Sequence, residues 1–375
     1  MTLLKRLFFL LLTSLVSFSL FANEDLIERY KQKNQLMPSS GKYAGETIEY
    51  TDKRTIIILT QVEKEIFGID KRDLAFANFK HNNKFYVASI PAIKIKRNLV
   101  LDRATNVVES VSFMKEHWAG ESRPETKNVE VHSELIFKFQ KSSGIVLHFN
   151  QTDRKEVTTN KRIYDAVLSI EAIRSELNQD AAFLPGGLGY NFAVGYRFYS
   201  AAQRDIKNET EVAATYTNHP LDFSDTKSYS SEANSMDYLL YQSLKISHQH
   251  GRNQTYNFIQ NNCTNRLFDL LDISMGYNQS LGGDVKFDNL SESYLTFINE
   301  DLEGLVAFIN EMAKEKLVEI PKDILKSLNA AAKGLALKDL EQMQKKHGQS
   351  DNVKNLLYAL PPFIDGHLKA RGLIK

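Results

Sequence analysis

Alternating apolar and polar positions in the middle of the chain predict an antiparallel sheet. Four runs rich in β-branched and aromatic residues share this pattern, at 129–140, 144–150, 165–172 and 188–201. The polar residues 141–143 separate the first two runs and are followed by Gly144, and this pattern predicts a β-hairpin there. Residues 23–125 mix short helical pieces with further β-rich runs, including 55–60, 84–90 and 106–113.

From about Asn234 the apolar residues follow the spacing of helices. Met236, Leu239, Leu240 and Leu244 recur at intervals of three and four residues. Further helices are predicted near 302–312, 323–333, 335–347 and 351–359. A sheet followed by segregated helices predicts the α+β class, with an antiparallel sheet packed against helices.

The first residues resemble a targeting segment. Lys5 and Arg6 precede an apolar run that closes at the small residue Ala22, which is the layout of a secretory signal peptide cleaved near that residue. The short basic start favours bacterial export, so we expect a periplasmic protein. No later run reaches about 18 apolar residues, and we expect no transmembrane segment in the mature chain.

The chain therefore divides into four predicted parts. They are a signal peptide at 1–22, a mixed α/β region at 23–125, a core of sheet and helices at 126–280, and a helical region at 281–375.

Composition narrows the classes of function. The 375 residues are 42% apolar and 25% charged, with a formal net charge of +1, so nucleic-acid binding has no electrostatic support. One cysteine excludes an intrachain disulfide and any multi-cysteine metal site. No HExxH or EF-hand pattern occurs, and we expect neither a metal nor a cofactor.

The single cysteine, Cys263, is the most informative residue. Asn261 and Asn262 are good helix N-caps, and apolar positions from Leu267 to Leu271 supply a buried helical face. Cys263 is therefore predicted in the first turn of a helix, where free backbone N–H groups and the helix dipole favour a thiolate. The same N–H groups can stabilise an oxyanion. The alternative is a small buried apolar residue.

A cysteine nucleophile needs a base, and His132 is the best placed histidine. It lies inside a predicted strand, on the same face as Glu134. A histidine that projects from a central strand toward a helix N-terminus is the arrangement of papain-like cysteine enzymes; the alternative is a structural histidine. Glu171 shares a face of the next strand with Ser169 and could orient the imidazole, or instead form an ion pair with Arg174.

At these residues the chain resembles a known family. The Tyr-Asn…Asn-Asn-Cys-Thr run at 256–264 is similar to a motif of the exported bacterial DUF4105 family, named after the N-terminal periplasmic domain of the lipoprotein N-acyltransferase Lnb. Three further stretches resemble family segments in the same order, at 131–137, 169–172 and 360–374.

The resemblance implies a permuted NlpC/P60-like, papain-type core, in which the histidine precedes the cysteine. It assigns Cys263 as nucleophile, His132 as base and Glu171 as a third member. Asn262 and Thr264 would shape the turn and the oxyanion site.

Three functions remain open. The preferred one is a cysteine-dependent acyltransferase that forms an acyl thioester on Cys263 and resembles a lipoprotein N-acyltransferase. Its partners would be a lipid acyl donor and a lipopeptide. The alternatives are a peptidoglycan endopeptidase or amidase acting on cell-wall peptides, and a non-catalytic envelope binding protein.

Overall fold

The computed structural model describes about half of the chain. The described residues are 25–31, 35–36, 48–49, 54–96, 100–103, 106–117, 131–158, 162–173, 192–204, 215–224, 235–250, 254–256, 262–275, 364, 368 and 372–375. The predicted signal peptide, the helices predicted between 302 and 359, and most of the 281–375 region lie outside them.

Among these residues the structure has fifteen strands. In chain order they are β1 (Gln35–Leu36), β2 (Ile48–Glu49), β3 (Ile57–Ile58), β4 (Asp73–His81), β5 (Lys84–Lys96), β6 (Val100–Arg103), β7 (Val108–His117), β8 (Val131–Phe139), β9 (Ile145–Asn150), β10 (Lys155–Glu156), β11 (Arg162–Ile163), β12 (Asp165–Ile173), β13 (Phe192–Ser200), β14 (Thr215–Pro220) and β15 (Thr255–Tyr256). The helices are short segments at 25–30 and 201–204, α1 (Gln61–Ile66), α2 (Ser235–His250) and α3 (Cys263–Ser274).

Thirteen of these strands form one mixed sheet. Its order is β10-β9-β5-β4-β13-β12-β8-β7-β14, with β11 on β9, β15 on β13, β3 on β4 and β6 on β5. The contact between β4 and β13 is parallel, and the other described pairs are antiparallel. A large sheet with a few helices confirms the α+β class. Strands from both sides of the predicted boundary at 125/126 belong to this one sheet.

The predicted strands of the middle region are confirmed, but the predicted pairing of two of them is not. The runs at 129–140, 144–150, 165–172 and 188–201 become β8, β9, β12 and β13. The hairpin predicted between β8 and β9 is wrong, since β9 pairs with β5. Both edges of β8 are already occupied, one by β7 and the other by β12, so β9 has no edge of β8 to join.

The two faces of the sheet are covered by different elements. Alternate residues of β4 enter different cores: Phe76 belongs to the core that includes α2 and α3, and Ala77 to the core beneath the 25–30 segment. In the larger core the rings of Phe113 on β7 and Phe268 on α3 stack at 5.5 Å. Burial of a phenylalanine stabilises the fold by about 1.5–3 kcal/mol, so this contact fixes α3 on the sheet.

Helix α3 packs against α2, β8 and β12, and this placement brings its first turn to the start of β8. None of the helices in the described ranges has the length and apolar character needed to cross a membrane.

Candidate active site

Cys263 is the first residue of α3, as predicted. Asn262 precedes it in an extended conformation, and the Asn262 side chain accepts a hydrogen bond from the Asn265 backbone N–H at 2.9 Å. This is an N-cap, which satisfies one of the N–H groups that a helix start leaves without an intrahelical acceptor. Asn262 therefore sets the direction in which α3 begins, with Cys263 in the first turn.

The helix start is attached to β8 beside His132. The Thr264 and Ser133 hydroxyls are 2.9 Å apart, and both residues are buried. The Ser133 backbone N–H also donates a hydrogen bond to the Cys263 sulfur. Thr264 therefore holds the first turn of α3 against the strand that carries the histidine.

Cys263 and His132 form a hydrogen-bonded pair. Burial would raise the pKa of the Cys263 thiol, but the hydrogen bond and positive charge of His132 outweigh burial and lower it. Burial would likewise lower the pKa of His132, but the hydrogen bonds with Cys263 and Glu134 raise it well above the ordinary value of an imidazole. Opposite shifts of this kind favour a thiolate beside an imidazolium.

Cys263 and His132 are both buried, and the neighbours of the sulfur are polar. Cys263 is 5% exposed and His132 is 7% exposed. The sulfur also lies 3.8 Å from the Thr264 hydroxyl, so its neighbours are polar groups that can donate hydrogen bonds. An apolar core cysteine lacks such donors.

Besides Cys263, two polar groups contact the imidazole of His132. His132 Nε2 lies 2.8 Å from Ser169 Oγ on β12 and 3.4 Å from Glu134 Oε1, two residues further along β8. Glu134 is 1% exposed and accepts a short hydrogen bond from the Tyr199 hydroxyl on β13. Glu134 is thus the carboxylate in direct contact with the ring.

Glu171 reaches the imidazole through Ser169. The Ser169 hydroxyl donates to Glu171 Oε1 at 3.1 Å, so its single proton is used and its oxygen accepts from the His132 Nε2–H. Both Glu171 oxygens accept hydrogen bonds from Arg197 Nη1 at 2.7 Å. Ser169 and Glu171 share a face, as predicted, but the described ion-pair partner of Glu171 is Arg197 on β13, whereas Arg174 lies outside the described residues.

Pairing with Glu171 keeps the buried Arg197 charged. Burial would lower the pKa of its guanidinium, but the charge of Glu171 raises it above its ordinary value. The chain of contacts from His132 through Ser169 and Glu171 to Arg197 therefore crosses three neighbouring strands and ends on a fixed positive charge.

A divalent metal has one geometric possibility in the described part of the chain. Ligand atoms of Glu116, His132 and Glu134 all lie within 4.8 Å of one another, and all three residues are buried. Glu116 stands opposite His132 in the register of β7 and β8. A metal held there would use a nitrogen of the same imidazole that contacts Cys263 and Ser169.

Four contacts of the site were missed from the sequence. Arg197, Tyr199 and Ser133 reach it through strand pairing and helix docking, which no local pattern gives. Tyr256 on β15 is the fourth, and burial together with the charge of Cys263 raises the pKa of its phenol. The only local signal for it is its place at the start of the 256–264 run.

Searches of family models, of curated proteins and of solved structures find no match to this chain.

Proposed function

We propose that this chain is an exported, cysteine-dependent acyl-transfer enzyme that forms an acyl thioester on Cys263. The observation that carries the proposal is the Cys263–His132 pair at the start of α3, with a lowered pKa of the thiol and a raised pKa of the imidazole. Such a pair holds more of the cysteine as thiolate at a given pH than an unpaired cysteine would, and the thiolate is the reactive form.

The reaction follows from the contacts of the pair. The thiolate attacks a carbonyl carbon, so a sulfur–carbon bond forms and the carbonyl electron pair moves to oxygen. When the tetrahedral intermediate collapses, the His132 imidazolium donates its proton to the leaving group. In the second half, His132 removes a proton from an acceptor amine or water, which attacks the thioester and releases the Cys263 thiolate.

The surrounding groups support the imidazolium in this scheme. Nε2 is engaged by Ser169 and Glu134, which leaves Nδ1 for the thiol. Glu134 stabilises the positive ring by direct charge, and Glu171 acts through the Ser169 hydroxyl. Both carboxylates are therefore positioning residues that keep one ring orientation.

The same contacts support the permuted NlpC/P60-like core. In such a core a histidine strand comes first and a helix beginning with the nucleophile follows, and here α3 packs against β8 and β12. The helical region at 281–375 and the periplasmic location remain parts of the proposal that rest on the sequence pattern.

Acylation of the purified protein by p-nitrophenyl acetate tests the chemistry. We expect one acetyl group on the peptide that carries Cys263, released by hydroxylamine as a thioester is, and none on a Cys263→Ser variant. Because Cys263 is the only cysteine, thiol labelling is unambiguous. An unlabelled Cys263 in folded protein would refute the enzyme proposal and favour the binding protein.

The acceptor separates the two enzyme classes. Phospholipid vesicles with a diacylglyceryl-cysteine lipopeptide test acyl transfer, and purified peptidoglycan tests cell-wall cleavage. We expect the lipopeptide to gain an acyl group. Release of soluble peptidoglycan fragments without lipopeptide acylation would favour the endopeptidase or amidase instead.

A further inference from the structure

Two buried hydroxyls lead from β8 to the Cys263 sulfur. Ser133 follows His132 on β8, and its Oγ lies 2.9 Å from Thr264 Oγ1 in the first turn of α3. Thr264 Oγ1 in turn lies 3.8 Å from Cys263 Sγ, within reach of a hydrogen bond to an atom as large as sulfur. Ser133 is fully buried and Thr264 is 2% exposed, so both contacts lie where a hydrogen bond is electrostatically stronger than in water.

The number of protons decides the direction of these two contacts. Each hydroxyl can donate one proton, and an ionised sulfur can only accept. When Cys263 is a thiolate, it takes the Thr264 proton, so Thr264 can meet Ser133 only as an acceptor. The Ser133 hydroxyl is then the donor to Thr264, and both hydrogen bonds point from β8 toward the sulfur. A neutral thiol imposes no such direction, because it can itself donate to Thr264.

Buried hydroxyls elsewhere in the helices have a different arrangement. The Ser243 hydroxyl of α2 donates to the Leu239 carbonyl at 2.7 Å, and the Ser274 hydroxyl of α3 donates to the Leu271 carbonyl at 2.8 Å. Both use a carbonyl of their own helix, as serines within helices commonly do. A helical hydroxyl in this fold is thus satisfied without a partner from the sheet. Thr264 differs because it contacts a side chain of another element and the only cysteine.

We propose that Ser133 is a positioning residue whose hydroxyl donates to Thr264 and so directs the Thr264 hydroxyl proton at the Cys263 thiolate. The inference rests on the proposed acyl-transfer function. No proton leaves either hydroxyl. The two hydrogen bonds strengthen as the sulfur ionises, and they weaken as its electron pair forms the bond to a carbonyl carbon. The two hydroxyls therefore act on the thiolate that awaits a substrate.

The charged groups near the sulfur stay the same when either hydroxyl is removed. His132 on β8 and Tyr256 on β15 are the titratable side chains whose pKa values respond to Cys263, and Glu134 adjoins His132. The Thr264 hydroxyl acts in the same direction as His132, since both lower the pKa of the thiol. A shift in the ionisation of Cys263 after loss of a hydroxyl therefore reports that hydroxyl.

The pH profile of alkylation by iodoacetamide measures the thiolate, because Cys263 is the only thiol. Thr264→Val keeps the shape of the side chain and removes the hydroxyl, and we expect the midpoint to rise by about one unit. Above both midpoints its rate should equal the wild-type rate or exceed it by up to about three-fold, since a less stabilised thiolate is the stronger nucleophile. A distorted site would instead lower the rate at every pH.

A double variant shows whether Ser133 acts through Thr264. In Ser133→Ala we expect the midpoint to rise by about 0.3–0.5 of a unit, because the Thr264 hydrogen bond loses its polarisation and its fixed direction. Ser133→Ala combined with Thr264→Val should have the midpoint of Thr264→Val alone, since the hydroxyl through which Ser133 acts is already gone. Additive shifts would overturn the proposal. Thr264→Ser keeps the hydroxyl and should retain the wild-type midpoint.

Ser274→Ala is the matched control, since it removes a buried hydroxyl from the other end of α3. We expect its midpoint to be that of the wild-type protein and its rate to stay within about two-fold. Thermal melts of the same samples record folding. If Thr264→Val does not fold, Ser133→Ala decides alone, and a wild-type midpoint in that folded variant overturns the proposal.

The outcomes separate this inference from the proposed function. If wild-type Cys263 is acylated by p-nitrophenyl acetate while Ser133→Ala or Thr264→Val keeps the wild-type midpoint, the role of Ser133 is wrong and the enzyme proposal stands. If wild-type Cys263 is alkylated but never acylated, the proposed function fails. Raised midpoints in both variants, together with acylation of the wild-type protein, support both.

Discussion

Two histidine–serine pairs in the same sheet have nearly the same geometry and opposite properties. His132 Nε2 lies 2.8 Å from Ser169 Oγ across β8 and β12, and His148 Nε2 lies 2.8 Å from Ser89 Oγ across β9 and β5. Burial lowers the pKa of His148, whereas the pKa of His132 is raised.

The pKa values of the two histidines shift in opposite directions because different groups surround them. His132 is the more buried of the two, and burial alone would lower its pKa further. Contacts with the Cys263 thiol and the Glu134 carboxylate reverse that effect. A contact with a serine therefore does not identify a base by itself; the adjacent thiol and carboxylate distinguish the candidate base His132 from His148.

Replacing each histidine by glutamine gives the largest contrast. His132→Gln removes the base and the charge that lowers the pKa of Cys263, so acylation by p-nitrophenyl acetate should fall by roughly 10²–10⁴-fold. His148→Gln should leave the rate within about two-fold, because it touches no reacting group. Equal losses in the two variants would mean that His132 is structural.

Glu134 and Glu171 should contribute differently, Glu134 mainly to the acylation rate and Glu171 mainly to stability. Glu134→Gln removes the charge beside the ring, and we expect acylation near neutral pH to fall about ten-fold or more, as for a hydrogen bond to a charged group. Glu171→Gln should lower the rate less but lower the melting temperature more, since Arg197 is left buried without its counter-charge. Thermal melts and acylation rates measured on the same samples check both expectations. If Glu171→Gln lowered the rate more and Glu134→Gln lowered the melting temperature more, the assignment would be wrong.

Replacement of Ser169 and of Ser89 by alanine should give the smallest difference in acylation rate between the two histidine–serine pairs. Ser169→Ala removes the acceptor of the His132 Nε2–H, a hydrogen bond of about 0.5–1.5 kcal/mol, and should slow acylation roughly two- to ten-fold. Ser89→Ala removes the matching contact of His148 and should leave the rate unchanged. A rate loss in Ser89→Ala as large as in Ser169→Ala would show that these serines act through the stability of the sheet.

Much of the site follows from local patterns. Strand alternation places His132 and Glu134 on one face, and the asparagine before Cys263 together with the apolar residues after it predicts where α3 begins. These features depend on residues close together in the chain, so the sequence reveals them.

The parts of the site that the sequence does not predict depend on pairing between segments that are distant in the chain. The prediction that Glu171 orients the imidazole assumes a direct contact, whereas the register of β8 and β12 places Ser169 between Glu171 and the ring. Arg197 and Tyr256 come to the site on β13 and β15, whose positions in the sheet no periodicity predicts. The false hairpin has the same cause, because local turn residues cannot show that both edges of β8 are occupied.

A pH titration of thiolate absorbance tests the central claim most directly. The wild-type spectrum minus that of Cys263→Ser isolates the only sulfur that can ionise. Because the pKa of Cys263 is lowered, the thiolate should persist below the ordinary midpoint of a cysteine and disappear only as the pH falls through that lowered pKa. A thiolate that appears only at or above the ordinary midpoint of about 8.5 would contradict the pairing of Cys263 with His132.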